Sequence, residues 1–240
     1  LYALIKIINK RDVNICTIED PVEYDLAGIN QIQVNAKTNL TFAAGLKSLL
    51  RQDPDIMMVG EIRDEETASI AINSAMTGHL VLSTLHTNDA ATALPRLLDM
   101  NIEPFLVAST LNVVVAQRLI RRICLKCIVS YTLSDKEIED IKKMIDIDKF
   151  LDIDKLKDVR LYKGKGCDKC NHTGYAGRMG VYEVLEIDDS MRDLITTRAD
   201  SDKIKEQAQA NGMTTMLEDG FDKVVSGQTT LEEILRVTRQ

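Results

Sequence analysis

The chain has 240 residues, of which 45% are hydrophobic and 28% charged, the balance expected of one or two globular domains with a sizeable core. It carries 30 Lys and Arg against 37 Asp and Glu, a formal net charge of −7, which argues against a protein that binds nucleic acid over its surface. The longest mostly apolar stretch, residues 105–116, is too short to cross a bilayer. We also find no pattern of a secretory signal peptide.

The first part of the sequence alternates short apolar segments with helical patterns. Helices are predicted at residues 1–9, 41–50, 65–76, 89–99 and 104–117. Strands are predicted at residues 13–18, 29–34, 56–59 and 80–85. The strand at 56–59 is wholly apolar, which is typical of strands buried on both faces, and the strand at 80–85 is also predicted to be buried. This alternation predicts a parallel α/β sheet with the size of a RecA core.

The pattern changes after residue 118. A segment from Cys124 to Cys170 holds four cysteines and a charged insert, in which Ser134–Glu137 predicts a capping box that opens a short helix. Residues 178–187 have the pattern of a strand pair, and helical patterns follow from Asp188, with a last predicted cap at Thr230–Glu233. We therefore predict a core at 1–118, a metal module with its insert at 119–187, and a C-terminal helical subdomain at 188–240.

Acidic residues follow the first predicted strand. Glu19 and Glu23 flank Pro21 there, and the carboxyl ends of parallel strands are where α/β sheets bind their ligands. Carboxylates in that position can hold water bound to Mg²⁺ or orient a nucleophile. An acidic loop that simply turns at Pro21 is an equally good interpretation of these residues alone.

The strand at 56–59 ends in Gly60 and Glu61, which is the form of a Walker B motif. Gly60 lets the chain turn without a side chain in the way, and Glu61 is expected at the strand tip, where it can polarise water for attack on a γ-phosphate. Walker B strands usually carry an Asp just before the Glu, and Gly60 occupies that position. The alternative is a buried strand followed by a turn held by salt bridges.

Two histidines flank the strand at 80–85. His86 follows it, on the edge where ligands bind, and can donate a hydrogen bond to a phosphate. His79 precedes the strand. For both residues a purely structural role is the alternative, and it carries more weight for His79.

Four of the five cysteines form two Cys-x-x-Cys pairs, namely Cys124 with Cys127 and Cys167 with Cys170. Two such pairs supply four thiolates in a tetrahedral array, which suits a structural Zn²⁺. Nearby glycines permit the tight turns of zinc knuckles, at Gly164, Gly166, Gly174 and Gly177. Four unrelated buried thiols are the alternative. Cys16, in the first strand, is interpreted as a core residue.

With these motifs the chain resembles the secretion ATPases of the type II secretion and type IV pilus assembly family, often called secretion system protein E. Thr17–Tyr24 looks like the Asp box of that family, Leu50–Asp64 like its Walker B signature, and Thr77–Asp89 like its His box. The cysteine module with Cys170–Arg178 looks like the zinc region of the assembly-type members. Pilus retraction ATPases are similar in the core and lack this module, which argues against retraction.

The sequence departs from the family in one respect, because no G-x-x-x-x-G-K-[ST] loop occurs in it. Residues 1–9 look like the helix that follows this loop in the family. We therefore expect the chain to be the C-terminal part of a longer ATPase. The 240 residues alone are expected neither to hydrolyse ATP nor to bind it at micromolar concentrations, and to aggregate.

The resemblance implies that the intact protein is a cytoplasmic homo-hexamer, peripherally attached to the inner membrane. It would use ATP, Mg²⁺ and a structural Zn²⁺, and domain closures would push on an inner-membrane platform protein that adds subunits to a pilus or pseudopilus. No nucleic-acid partner is expected.

The resemblance also implies roles for the site residues. Those assigned to catalysis are Glu61 as the group that positions or activates water, Glu19 in the metal and water shell, and His86 beside the γ-phosphate. Those assigned to cofactor binding are Glu23, Arg51, Arg63 and His79, the two arginines holding the carboxylates.

Two other functions fit the sequence: a non-catalytic docking module stabilised by zinc, and a RecA-type motor on nucleic acid. The acidic charge and the pairing of zinc with a Walker B strand disfavour the second.

Overall fold

The computed structural model describes residues 1–144 and 159–238, in which eight strands and ten α-helices are formed. The strands are β1 Ile15–Glu19, β2 Asn30–Gln33, β3 Ile56–Val59, β4 Leu80–Ser83, β5 Val113–Ile123, β6 Ile128–Tyr131, β7 Leu161–Gly164 and β8 Tyr175–Glu186. The helices are α1 Tyr2–Ile8, α2 Phe42–Leu49, α3 Glu65–Met76, α4 Ala93–Leu98, α5 Pro104–Thr110, α6 Asp135–Met144, α7 Asp189–Thr196, α8 Ser201–Ala210, α9 Met216–Val225 and α10 Leu231–Thr238. Among the described helices, none has the length and apolar character needed to cross a bilayer.

The chain divides into two compact units. The first contains Leu1–Val114 and Glu186–Ala208, and the second contains Val115–Leu185 and Gln209–Gln240. Helix α7 belongs to the first unit because it packs on α5, where the Arg192 Nε donates to the Ala108 carbonyl oxygen at 3.1 Å. The three-part division at residues 118 and 187 stays a prediction, and part of its charged insert lies outside the described residues.

A four-stranded parallel sheet forms the centre of the first unit, in the order β2-β1-β3-β4. Ile18 pairs with Val59, and Val59 pairs with Ser83, so the carboxyl ends of β1, β3 and β4 lie side by side. The predicted parallel α/β sheet is therefore confirmed, and its carboxyl edge is a single surface.

Helices cover both faces of the two inner strands. On one face Ile5 of α1 packs in a cluster with Ile15 and Ile56. On the other face α2 approaches so closely that a Cβ on Gly45 would lie 1.8 Å from the Ile18 Cδ1. Every residue of β1 and β3 is consequently buried, as predicted for β3.

The strand predicted at 80–85 differs from the prediction in length and burial. It ends at Ser83 and lies at the edge of the sheet, where Leu80 is 46% exposed. Its apolar sequence alone indicated a strand buried on both faces, but an edge strand has a neighbour on one side only, so its side chains are less covered.

Two more predictions of secondary structure are wrong. The helix predicted at 104–117 ends at Thr110, and Val113 begins the eleven-residue strand β5, because three consecutive β-branched valines favour the extended backbone. Residues 178–187 form no strand pair, because residues 178–186 belong to the single strand β8, which pairs with β5, and Ile187 follows it. The helix predicted at 89–99 is present in a shorter form, Ala93–Leu98.

The second unit has its own apolar core. Ile120 of β5, Val181 of β8 and Ile234 of α10 are all inaccessible to solvent and belong to one cluster. The predicted capping box at α6 is confirmed, since the Ser134 N–H donates to the Glu137 carboxylate at 2.8 Å and the Glu137 N–H donates to the Ser134 Oγ at 3.4 Å. This local signal marks where α6 begins.

A buried carboxylate joins β5 to α10 within the second unit. Glu233 accepts hydrogen bonds from the Arg121 Nη2 at 2.5 Å, from the Arg121 backbone N–H at 3.0 Å, and from the Arg236 Nε at 3.0 Å. The Arg121 guanidinium also lies over the Tyr175 ring, 4.1 Å from its centroid. Burial alone would raise the pKa of Glu233, but the two arginines outweigh it and lower the pKa to about 2.

Glu233→Gln is expected to reduce the free energy of unfolding of this unit by about 3 kcal/mol at pH 7. The wild-type carboxylate contributes its full stabilisation above its unfolded pKa of about 4.3, and this contribution is lost as the pH falls through the folded pKa of about 2. The difference between variant and wild type should thus shrink between pH 4.5 and pH 2 or so. Urea unfolding read by hydrogen exchange in β5 and α10 measures it. Glu232→Gln, an exposed neighbour on the same helix, is the control; an equal loss at all pH values would contradict the account.

Candidate functional site

Glu61 lies at the carboxyl edge of the sheet, two residues after β3, and its side chain is only 11% exposed. Its Oε2 lies 2.6 Å from the Arg63 Nε and 2.7 Å from the His86 Nε2. The Oε1 has no hydrogen-bond partner among the described residues. The structure therefore brings Glu61, Arg63 and His86 together, with one carboxylate oxygen left for a further donor such as water.

Burial would raise the pKa of Glu61, but hydrogen bonds from His86 and Arg63 outweigh it, so the pKa is lowered. Glu61 is consequently an anion near neutral pH and accepts hydrogen bonds only. The His86 side chain is 74% exposed, so its ring is open to solvent and can meet a bound anion.

The turn after β3 holds Glu61 in place through backbone contacts. The Gly60 N–H donates to the Ile18 carbonyl oxygen at 2.8 Å, and a Cβ on Gly60 would lie 3.3 Å from the Glu19 Cα. The absence of a side chain at Gly60 thus allows the close passage predicted for it. The Thr84 Oγ1 donates to the Gly60 carbonyl oxygen at 2.7 Å, and the Ile62 N–H donates to the Thr84 carbonyl oxygen at 3.0 Å, contacts that sequence reasoning did not identify.

Glu19 ends β1 on the same edge, but its carboxylate is buried and surrounded by donors. It accepts from the Thr17 Oγ1 at 2.5 Å, from the Gln31 Nε2 at 3.1 Å and from the Tyr2 hydroxyl. The Glu19 carboxylate, predicted to serve the metal and water shell, therefore already accepts hydrogen bonds from β1, β2 and α1. Burial and the Glu19 carboxylate raise the pKa of Tyr2, so its hydroxyl keeps its proton.

Glu23 is exposed in the loop that follows β1. Its backbone N–H donates to the Tyr2 hydroxyl oxygen at 3.1 Å. The carboxylate of Glu23 is available at the edge of the sheet, and its hard oxygen atoms suit a cation such as Mg²⁺.

Two predicted site residues lie at the amino ends of the strands, opposite the carboxyl edge that holds Glu61. Arg51 is in a short 3₁₀ turn that precedes β3, so the whole strand separates it from Glu61. His79 precedes β4, and its Nδ1 lies 2.9 Å from the Ser74 carbonyl oxygen at the end of α3. The structure does not bring either residue to Glu61, and their contact with a cofactor stays a prediction.

The four cysteines Cys124, Cys127, Cys167 and Cys170 are free thiols whose sulfur atoms all lie within 4.8 Å of one another. The Cys124 and Cys167 sulfurs are 3.9 Å apart, and the Cys167 and Cys170 sulfurs are 3.8 Å apart. A tetrahedral zinc with Zn–S bonds of about 2.3 Å requires sulfur atoms roughly 3.8 Å apart. The cluster therefore has the dimensions of a tetrahedral metal site.

Backbone N–H groups donate hydrogen bonds to this cluster. The Cys170 Sγ accepts from the Cys167 N–H at 3.2 Å and from the Gly174 N–H at 3.3 Å. Burial would raise the pKa of Cys170, but these backbone donors and the neighbouring thiols of Cys167 and Cys127 outweigh it and lower the pKa to about 6. A Cβ on Gly164 would lie 2.1 Å from the Gly174 carbonyl oxygen, so the two predicted knuckle glycines do permit the close approach.

Known proteins resemble nearly the whole of this chain. Residues 1–236 match the family described as Type II/IV secretion system protein. The chain is 49% identical over 239 residues to the type II secretion system protein HxcR of Pseudomonas aeruginosa, covering all of this chain and 45% of that protein. It is 48% identical over 237 residues to the type IV pilus assembly ATPase PilB of Thermus thermophilus, covering 99% of this chain and 26% of that protein. The chain thus spans less than half the length of these relatives.

Among solved structures, the chain resembles the pilus retraction motor PilT with bound ADP, with a TM-score of 0.69 and 26% identity. The match covers all of this chain and 57% of that one. The shared fold is an ATPase fold, which agrees with the RecA-like parallel sheet predicted from the sequence.

Proposed function

Because the chain belongs to the Type II/IV secretion system protein family, we propose that the intact protein is an ATP-hydrolysing motor for type II secretion or type IV pilus assembly. The contact of Glu61 with Arg63 and His86 at the carboxyl edge of the sheet is the observation that carries this proposal. An ionised carboxylate at the tip of a buried strand is the group needed to orient water toward a γ-phosphate.

Each residue of this edge has a task in the proposed reaction. Glu61 accepts a hydrogen bond from the attacking water through its unpaired Oε1, while Arg63 keeps the carboxylate from rotating. His86 lies beside Glu61 and is exposed, so it can donate to the terminal phosphate. Bound Mg²⁺ supplies neutralising charge for the phosphates, and the exposed Glu23 carboxylate fits it. The contacts of Glu19 favour a positioning role for that residue.

The cysteine cluster is proposed to hold one structural Zn²⁺ per chain. Four thiolates at these sulfur separations match zinc in size and in ligand type. With all four positions taken by sulfur, no position is left for substrate, so the metal stabilises the second unit and has no part in hydrolysis. We place the inner-membrane platform partner near this module, as the resemblance implies.

The assembly that the resemblance implies is a homo-hexamer, peripherally attached to the inner membrane on its cytoplasmic side. Assembly of a fibre is favoured over its retraction for two reasons. The chain is 48% identical to a pilus assembly ATPase and 26% identical to a retraction motor, and it carries the four-cysteine module.

A phosphate-release assay on the full-length protein tests the proposed activity. We expect ATP- and Mg²⁺-dependent release of phosphate from the full-length protein and none from residues 1–240 alone, since no phosphate-binding loop is among these residues. A full-length protein without ATPase activity would instead support the non-catalytic docking module. Turnover by the 240 residues would mean that the site works without such a loop.

A further inference from the structure

We propose that Tyr2 is a positioning residue, which anchors the loop carrying Glu23 to the buried carboxylate of Glu19. Its effect on catalysis rests on the function proposed above, whereas the anchor itself is a structural claim. The Tyr2 hydroxyl donates to Glu19 and accepts from the Glu23 N–H at 3.1 Å. A single hydroxyl thus joins α1, the end of β1 and the following loop.

The acceptor for Tyr2 is itself held rigidly by the sheet. The Glu19 Oε1 accepts from the Thr17 Oγ1 at 2.5 Å within β1 and from the Gln31 Nε2 at 3.1 Å in the neighbouring strand β2. Since Glu19 is buried, water does not compete for these bonds. The position of the Tyr2 hydroxyl is therefore set by the two strands.

Side chains, and not a strand ladder, hold the backbone of this loop. The Val22 N–H donates to the Gln33 Oε1 at 3.3 Å, and the Leu26 N–H donates to the Gln31 Oε1 at 2.7 Å. The Glu23 N–H, which lies between them, donates to Tyr2. Loss of the Tyr2 hydroxyl would release the loop at Glu23, the residue whose carboxylate is proposed above to fit Mg²⁺.

Tyr24 provides a matched control for Tyr2. The two rings are in contact, with centroids 4.6 Å apart, but Tyr24 is 48% exposed. In the part of the chain that the structure describes, its hydroxyl forms no hydrogen bond. Tyr2→Phe and Tyr24→Phe each remove one hydroxyl and keep the ring packing, so only the first should affect the loop.

The experiment compares the two variants with the wild type in the full-length protein. Hydrogen exchange of a peptide that covers residues 20–29 reports the anchor, and steady-state ATP hydrolysis reports its consequence. For Tyr2→Phe we expect exchange in that peptide to be about tenfold faster. We expect kcat to fall about tenfold with KM unchanged, because the bound nucleotide meets a less ordered carboxylate. Tyr24→Phe should match the wild type in both measurements.

The outcomes separate the two claims. Unchanged exchange in Tyr2→Phe overturns the anchor, whatever the activity does. Faster exchange with kcat within about twofold of wild type overturns the positioning role. A fall in kcat for Tyr24→Phe equal to that for Tyr2→Phe would assign the effect to ring packing and also overturn the proposal. A wild-type protein that does not hydrolyse ATP overturns the proposed function, and the exchange comparison still decides whether Tyr2 anchors the loop.

Discussion

Glu61→Gln in the full-length protein is expected to lower kcat for ATP hydrolysis by about 10²–10⁴-fold while ATP binding persists. The amide keeps the shape of the side chain but loses the negative charge that orients water. Glu61 is mostly buried and contacts Arg63 and His86, so its carboxylate is held in one position. A solvent molecule cannot easily take over its role in the variant. Steady-state phosphate release and calorimetry with ATP measure the two quantities.

The matched control for this variant is Glu66→Gln. Glu66 is an exposed carboxylate on the adjacent helix α3 and pairs with Lys47 at 2.7 Å, so it has the same chemistry away from the candidate site. The control should retain wild-type turnover. If Glu61→Gln also retained near wild-type turnover, another acid of this edge, Glu19 or Glu23, would carry the role.

Removal of the metal is expected to have the largest effect on stability. Purified full-length protein should contain one Zn²⁺ per chain, and Cys167→Ser should lose it and melt at a lower temperature. Ligation of structural zinc contributes about 10–16 kcal/mol in small zinc modules, and this binding free energy is part of the folding free energy. Elemental analysis and thermal unfolding with and without a chelator test both parts.

Cys16→Ala is the control for the zinc variant. Cys16 is the fifth cysteine and is buried in β1 of the other unit, so its loss should leave the zinc ratio near one. A well-folded wild-type protein without zinc, or a Cys167→Ser protein with the wild-type melting temperature, would contradict the metal assignment.

The core of the candidate site could be predicted from local sequence. An apolar run that ends in Gly60 and Glu61 specifies a buried strand, a close turn and a carboxylate at its tip, and the structure has all three. Two Cys-x-x-Cys pairs likewise predict a four-sulfur cluster. Each pair places two thiols on one tight turn, and a tetrahedral zinc takes four ligands.

Residue type alone, without the position of a residue relative to a strand, does not show which side chains reach Glu61. Arg51 and Arg63 flank the same strand, but residues before a parallel strand lie at its amino edge, so only Arg63 reaches Glu61. The same reasoning separates His79 from His86. Whether a residue precedes or follows a strand can be read from the sequence. The edge position of β4 depends on strand order and could not be read from its apolar residues.

Contacts between distant residues were beyond the reach of local patterns. The hydroxyl of Tyr2 meets a carboxylate 17 residues away, and Arg121 meets Glu233 across 112 residues. Each of these polar residues has the sequence appearance of an exposed position. Only the packing of α1 on β1 shows that Tyr2 meets buried Glu19, and only the position of α10 beside β5 shows that Arg121 meets buried Glu233.

The most direct test of the central claim is a structure of the full-length protein with Mg²⁺ and a non-hydrolysable ATP analogue. The γ-phosphate is expected at the carboxyl edge of the sheet, with one water bridging it to the Glu61 carboxylate through hydrogen bonds of roughly 2.6–3.2 Å. His86 should lie on the same side of the γ-phosphate as Glu61. A nucleotide bound at the amino edge, near Arg51 and His79, or a γ-phosphate beyond the reach of one water from Glu61, would contradict the claim.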